Sequence, residues 1–147
     1  VASLLSTDQV GDETALPGLI AGIESPVGRF LADGAYDGTG VSTCLTEAFG
    51  PDVEVIIPPP KTAVLGLGHQ RDAHIQHIAA QGRMAWQSKT GYNDRALVEA
   101  QIGRYKAIIG AGLKSRQFRR QITETKIAIK SLNRMTSLGR AIFKRAA

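Results

Sequence analysis

Cysteine is nearly absent from this chain. Cys44 stands alone among 147 residues, beside one tryptophan, two methionines and 5% aromatics. A lone cysteine excludes an internal disulfide, fits a reducing cytoplasm, and reads as a small buried residue rather than a nucleophile. No apolar run approaches the roughly 20 residues of a membrane span, and no basic segment leads into an apolar one at the start. A membrane span and a signal peptide are therefore not expected. There is no P-loop, no Gly-x-Ser-x-Gly, no paired-cysteine spacing and no internal repeat, which removes the chemistries that depend on those motifs.

Charge of one sign is missing from each end. Residues 1–60 hold nine acids and a single base, Arg29, whereas residues 104–147 hold twelve bases and a single acid, Glu124. The net +5 conceals that split. A basic segment on this scale favours a polyanion, nucleic acid first. With 43% hydrophobic residues, the length suits one globular domain with a real core.

The hydrophobic pattern predicts alternating strands and helices. Residues 1–6 read as a strand. Asp12 reads as the N-cap of a short helix reaching about Ile23, with Pro17 inside it. Residues 28–32 read as a buried strand ended by Asp33-Gly34. An acid there is either a turn residue, the reading that pattern alone favours, or the active acid of an α/β strand end. Asp37 reads as a cap for a helix over residues 40–49. A strand over residues 53–57 is stopped by Pro58-Pro59-Pro60, and Lys61 follows as a solvated base near the open edge. A helix is expected from Arg71 to about Gly82. His69, outside that helix, His74 and His77 lack the cysteine or carboxylate set of a zinc site and read as surface or DNA-facing histidines. Trp86 reads as the anchor of a loop. The last helix, from about Ser115 to Leu138, places Phe118, Ile122, Ile129 and Leu132 on one face and exposes Arg119, Lys126, Lys130 and Arg134.

The stretch from Gly91 to Lys106 organises the rest. It reads as a helix from about Asp94 to Ile109, with Asn93 or Asp94 as N-cap. Arg95, Glu99, Ile102 and Lys106 fall within about 60° of one another around the helix. Leu97, Val98, Tyr105, Ile108 and Ile109 form an apolar stripe expected to pack on a core, and Ala96, Ala100, Gly103 and Ala107 form a strip small enough for close packing. Taken alone, Arg95 and Glu99 are an ordinary solvated i,i+4 pair.

The full spacing is more specific. Tyr92, two residues, Arg95, three residues, Glu99, six residues and Lys106 resemble the Tyr-Arg-Glu-Lys signature of bacterial insertion-sequence transposases of the DDE type. The words Gly-Arg-Met-Ala-Trp-Gln (82–87), Val-Glu-Ala-Gln-Ile-Gly-Arg-Tyr-Lys (98–106) and Ala-Asp-Gly-Ala-Tyr-Asp (32–37) resemble one branch of that family. The resemblance runs from Val1 to about Arg140, as the C-terminal portion of such an enzyme.

The resemblance implies an α/β, RNase H-like fold: a partial catalytic domain over residues 1–110 and a basic helical segment over residues 111–147. It implies that Asp33, with Tyr36 as its aromatic companion, and Glu99 are two acids of the catalytic triad and ligands of two Mg²⁺ or Mn²⁺ ions. Tyr92, Arg95 and Lys106 would hold DNA near the cut end. Arg119, Arg120 and Lys130 would give sequence-independent affinity for the DNA backbone. The implied partners are the terminal inverted repeats, target DNA and further copies of the chain in a synaptic complex, with no membrane, in the nucleoid-associated cytoplasm of a bacterium. The family's first Asp has no counterpart here, and the strand-like opening reads as a start inside a fold. Two other readings remain: a truncated transposase remnant that binds DNA without cutting, and another RNase H-like nuclease such as a junction resolvase, against which the spacing argues. The purified chain alone is expected to be inert as a nuclease. Mg²⁺-dependent nicking of plasmid DNA that is abolished by Glu99→Ala would refute that expectation.

Overall fold

The computed structural model describes residues 4–7 and 9–139, a mixed α/β arrangement. Helix α1 spans Asp12–Ile20, strand β1 Arg29–Leu31, helix α2 Thr39–Phe49 and strand β2 Glu54–Ile56. Helices α3 (His69–Gln81), α4 (Arg83–Thr90), α5 (Ala96–Ile108) and α6 (Phe118–Ser137) follow. The two strands pair in parallel, with Phe30 opposite Val55. Parallel neighbours need a crossover, and α2 supplies it.

Alternation along the strands gives the sheet two faces. Ala32, Val53 and Ile57 join Leu16 and Ile20 of α1 and Val41 and Leu45 of α2 in one buried cluster, with Phe30, Val55, Tyr36 and Cys44 packed against it. Arg29, Leu31, Asp33 and Ile56 therefore point to the opposite face. Ile56 and Trp86 are fully buried. Pro17 stays within α1, whose N-cap is Gly11 rather than Asp12.

The outer edge of β2 is closed by side chains of α3. Gln70 accepts from the Val55 amide at 2.8 Å and donates to the Val53 carbonyl at 3.0 Å. His74 Nε2 bonds the Val55 carbonyl at 2.9 Å, and Trp86 Nε1 donates to His74 Nδ1 at 3.0 Å. An indole nitrogen only donates, so His74 Nδ1 accepts and the ring is the Nε2–H tautomer. His74 therefore faces inward, not toward solvent or DNA. The bidentate Arg71–Asp37 pair, 2.8 and 2.9 Å, ties α3 to the start of α2. Only 6% of the Asp37 side chain is exposed, and its hydrogen bond raises Arg71 above the usual guanidinium range against the opposing effect of burial. Asp37 is thus an ion-pair partner and not a cap; α2 is capped by Gly38.

Several sequence expectations are corrected. Residues 4–6 form no strand, and residues 1–3 lie outside the described residues. His69 lies inside α3, and Trp86 sits in a helix rather than a loop. The largest correction concerns α5, which has no buried residue. Leu97, Val98, Ile102 and Ile108 are exposed, and a side chain added at Gly103 would meet nothing within 4 Å. Of its apolar stripe only Tyr105 and Ile109 are half-buried, and its small-residue strip is exposed. Phe118, expected on the inner face of α6, is exposed, whereas Ala128 and Leu132 are buried.

Trp86→Phe keeps a ring and removes the bond to His74. It should lower stability to urea, followed by circular dichroism, by about 1–3 kcal/mol. Trp86→Ala should lower it further, by about 3–5 kcal/mol. An undiminished Trp86→Phe variant would show that the His74 bond contributes nothing.

Candidate active site

A turn between α4 and α5 brings the signature residues over the second face of β1. Gly91 ends α4 in the left-handed region at φ 67°, and Tyr92–Arg95 make one 3₁₀ turn before α5. A Cβ at Gly91 would come to 3.0 Å from Arg29 Nη2, so glycine suits both the backbone and this contact. Neither Asn93 nor Asp94 caps α5; its N-cap is Arg95, with no side-chain cap bond. Asp94 pairs instead with Arg29 at 3.4 Å.

Two ion pairs of opposite polarity join strand to turn. Arg29, entering β1, reaches Asp94 and the carbonyls of Thr90 and Gly91. Asp33, leaving β1, meets Arg95 Nη2 at 3.5 Å. Arg95 Nη1 also donates to Glu99 Oε1 at 3.0 Å. One guanidinium thus joins two carboxylates, one 62 positions before it and one 4 after. Burial works against the Arg95 cation, but Tyr92, Glu99 and Asp33 outweigh it and raise its pKa. Arg95 stays charged at every accessible pH. The side chains of Asp33 and Glu99 are 48% and 69% exposed. Each pair is therefore worth about 0–1 kcal/mol, too little to set the geometry.

Packing sets it instead. The Tyr92 ring packs against Trp86 at a 41° tilt with centroids 5.1 Å apart, and His74 meets the indole edge-on with centroids 5.5 Å apart. Asp33 Oδ1 accepts from the Ala35 amide at 3.1 Å, capping the 3₁₀ turn Gly34–Tyr36. Asp33 is therefore both the turn residue of the plain reading and an acid aimed at the site, one oxygen for each role. Tyr36 packs edge-on to Phe30.

Two convergent carboxylates suit a hard divalent ion such as Mg²⁺, which commonly takes one or two carboxylates with water and phosphate. Among the described residues no group of three or more His, Cys, Asp or Glu could hold a metal. Asp33 and Glu99, joined through Arg95, are the pair of carboxylates that would be available to such an ion, with phosphate and water filling the remaining positions.

Lys106 and the basic residues of α6 stand apart from this cluster. Lys106 is exposed on α5, about 10 Å beyond Glu99 along the axis. On α6, Arg119, Lys126, Lys130 and Arg134 line a stripe within about 80° and about 22 Å long, and Arg120 lies about 100° from Arg119, off that stripe. All five are exposed, and no ion pair among the described residues engages them. Glu124 is held elsewhere: it accepts from the amides of Lys114 and Ser115, which lower its pKa. Arg104 donates to Thr136 at 2.6 Å and links α5 to α6. The basic tail over residues 140–147 lies outside the described residues.

Sequence reasoning missed Arg29, Asp94, Gln70 and the inward role of His74. Arg29 had one visible signal: it is the only base of residues 1–60 and opens a strand. No helix among the described residues is long and apolar enough to cross a membrane. No family model matches the chain, and no solved structure matches it.

The two roles of Asp33 can be separated. Asp33→Asn keeps a cap acceptor and should stay within about 0.5 kcal/mol of the parent chain, because the exposed ion pair contributes little. Asp33→Ala removes the cap and should cost about 1 kcal/mol. Equal losses in chemical denaturation would assign the contribution to charge instead.

Proposed function

We propose that this chain is the C-terminal portion of a DDE-type DNA transposase with an RNase H-like catalytic core. The reading rests on one observation: Arg95 gathers Asp33 and Glu99, which no local pattern would bring together. The parallel β1–α2–β2 unit, with the acid at the strand end, is compatible with that core.

A bound Mg²⁺ or Mn²⁺ pair would activate the oxygen nucleophile and stabilise the leaving oxygen of a phosphodiester. Every other role falls to side chains. Asp33 Oδ2 and Glu99 supply the negative charge that keeps such cations in place. Arg95 offers a planar fork to a phosphate, which a lysine could not match. Tyr92, packed at a tilt against Trp86, presents its hydroxyl beside the same strand of DNA. Lys106 reaches the backbone further along α5, and Arg119, Arg120 and Lys130 add affinity without reading sequence. The partners proposed are element-end inverted repeats, target DNA and other copies of the chain.

A second reading, a DNA-binding remnant that does not cut, is favoured by the unpaired basic stripe of α6, which needs no metal. Duplex DNA binding measured by fluorescence anisotropy across salt concentrations should fall steeply. Replacing Arg119, Arg120 and Lys130 by Gln should flatten the log–log slope by about 0.9 per lost contact. Binding that ignores salt would refute both readings. To choose between them, the gene is read in frame upstream of the Val1 codon. A strand ending in Asp, with flanking inverted repeats, supports the transposase; a stop codon within a few residues supports the remnant.

A further inference from the structure

We propose that Arg95 is a built-in, displaceable counter-cation, which leaves the acids when a divalent ion arrives and thereby becomes free to bind a DNA phosphate. The inference rests on the transposase reading and adds a coupling between cation and DNA.

The argument starts from the oxygens. Asp33 Oδ1 is committed to the Ala35 amide, so Oδ2 is the oxygen left for the site, and it faces Arg95 Nη2. Glu99 Oε1 faces Arg95 Nη1. The fork of Arg95 therefore covers the same two oxygens that a divalent cation would take. Two cations at one point repel strongly, so Arg95 and a divalent ion exclude each other. Arg95 has room to leave. It sits in a single 3₁₀ turn, a third of its side chain is exposed (33%), and the helix that follows has no buried residue. Its present bonds to half-exposed carboxylates are weak ones.

A guanidinium released from carboxylates keeps its charge and geometry, and its best replacement partner is a phosphate bound bidentately. Divalent cation and DNA then favour the same position of Arg95, so each strengthens binding of the other by the same factor. The arrangement also holds one cation between the two acids while no DNA is present, which offsets half of their charge.

The test uses the 147-residue chain and Mn²⁺ alone, titrated by electron paramagnetic resonance. Arg95→Gln should bind Mn²⁺ about tenfold more tightly than the parent chain, the effect of removing one adjacent cation from a carboxylate. Arg95→Lys, which keeps the charge, should fall between them, and thermal melts establish that each variant is folded. In DNA binding, Mn²⁺ should steepen the salt slope of the parent chain by about 0.9 and leave that of Arg95→Gln unchanged. If Mn²⁺ binding requires Glu99 yet Arg95→Gln gains nothing, the displacement idea is overturned while the transposase reading stands. If neither chain binds Mn²⁺ in a Glu99-dependent way, the displacement idea is overturned, and the transposase reading is decided separately by the upstream reading frame.

Discussion

The indole of Trp86 gives its one proton to His74, and His74 gives its own to the backbone of β2. The remaining geometry of the site depends on that chain of bonds. It fixes α4 against α3 and the sheet, and the buried face of the indole leaves a platform for Tyr92. From Tyr92 the backbone has only three residues in which to reach Arg95, so the position of the guanidinium follows from an aromatic contact. The ion pairs at the surface are too exposed to do this themselves. They select among orientations that packing has already made available.

This division of labour explains why the strand matters although it is three residues long. Its inward face packs on the cluster of α1 and α2, while Arg29, which opens it, and Asp33, two residues past its end, carry opposite charges on the other face. Asp94 and Arg95, adjacent in the turn, carry the matching charges in the matching order. A turn placed the other way round would set like charges together. The two pairs contribute specificity of register more than stability.

Much of the architecture was legible from residues. The strand ending at Asp33, the stop at Pro58-Pro59-Pro60 and the basic face of α6 each follow from a local rule, and the helices other than α4, whose residues read as a loop, come within a few residues of their observed limits. What was not legible lies between segments. That Asp33 and Glu99 share Arg95 is a tertiary fact, invisible to spacing within one helix. Asp37 and Asp94 stood where capping residues stand, yet each found a distant arginine that offers a bidentate or charged partner. The apolar stripe of α5 failed as a core predictor for another reason. Periodicity shows that a face is apolar, and whether something covers it depends on the rest of the fold. Trp86 was recognised as an anchor but assigned to a loop, because a single buried indole among polar residues gives no helical period.

The closure of β2 by Gln70 and His74 has a consequence for how the sheet can be extended. The side-chain amide of Gln70 answers the Val53 carbonyl and the Val55 amide as a neighbouring strand would, so no strand can dock there without first evicting α3. In a parallel ladder the amides and carbonyls of Arg29 and Leu31 point away from β2. The sheet therefore has a polarity of growth: it is finished on one side and can widen only on the other. A strand added in parallel on that side would run its last residues toward the end of β1 where Asp33 stands.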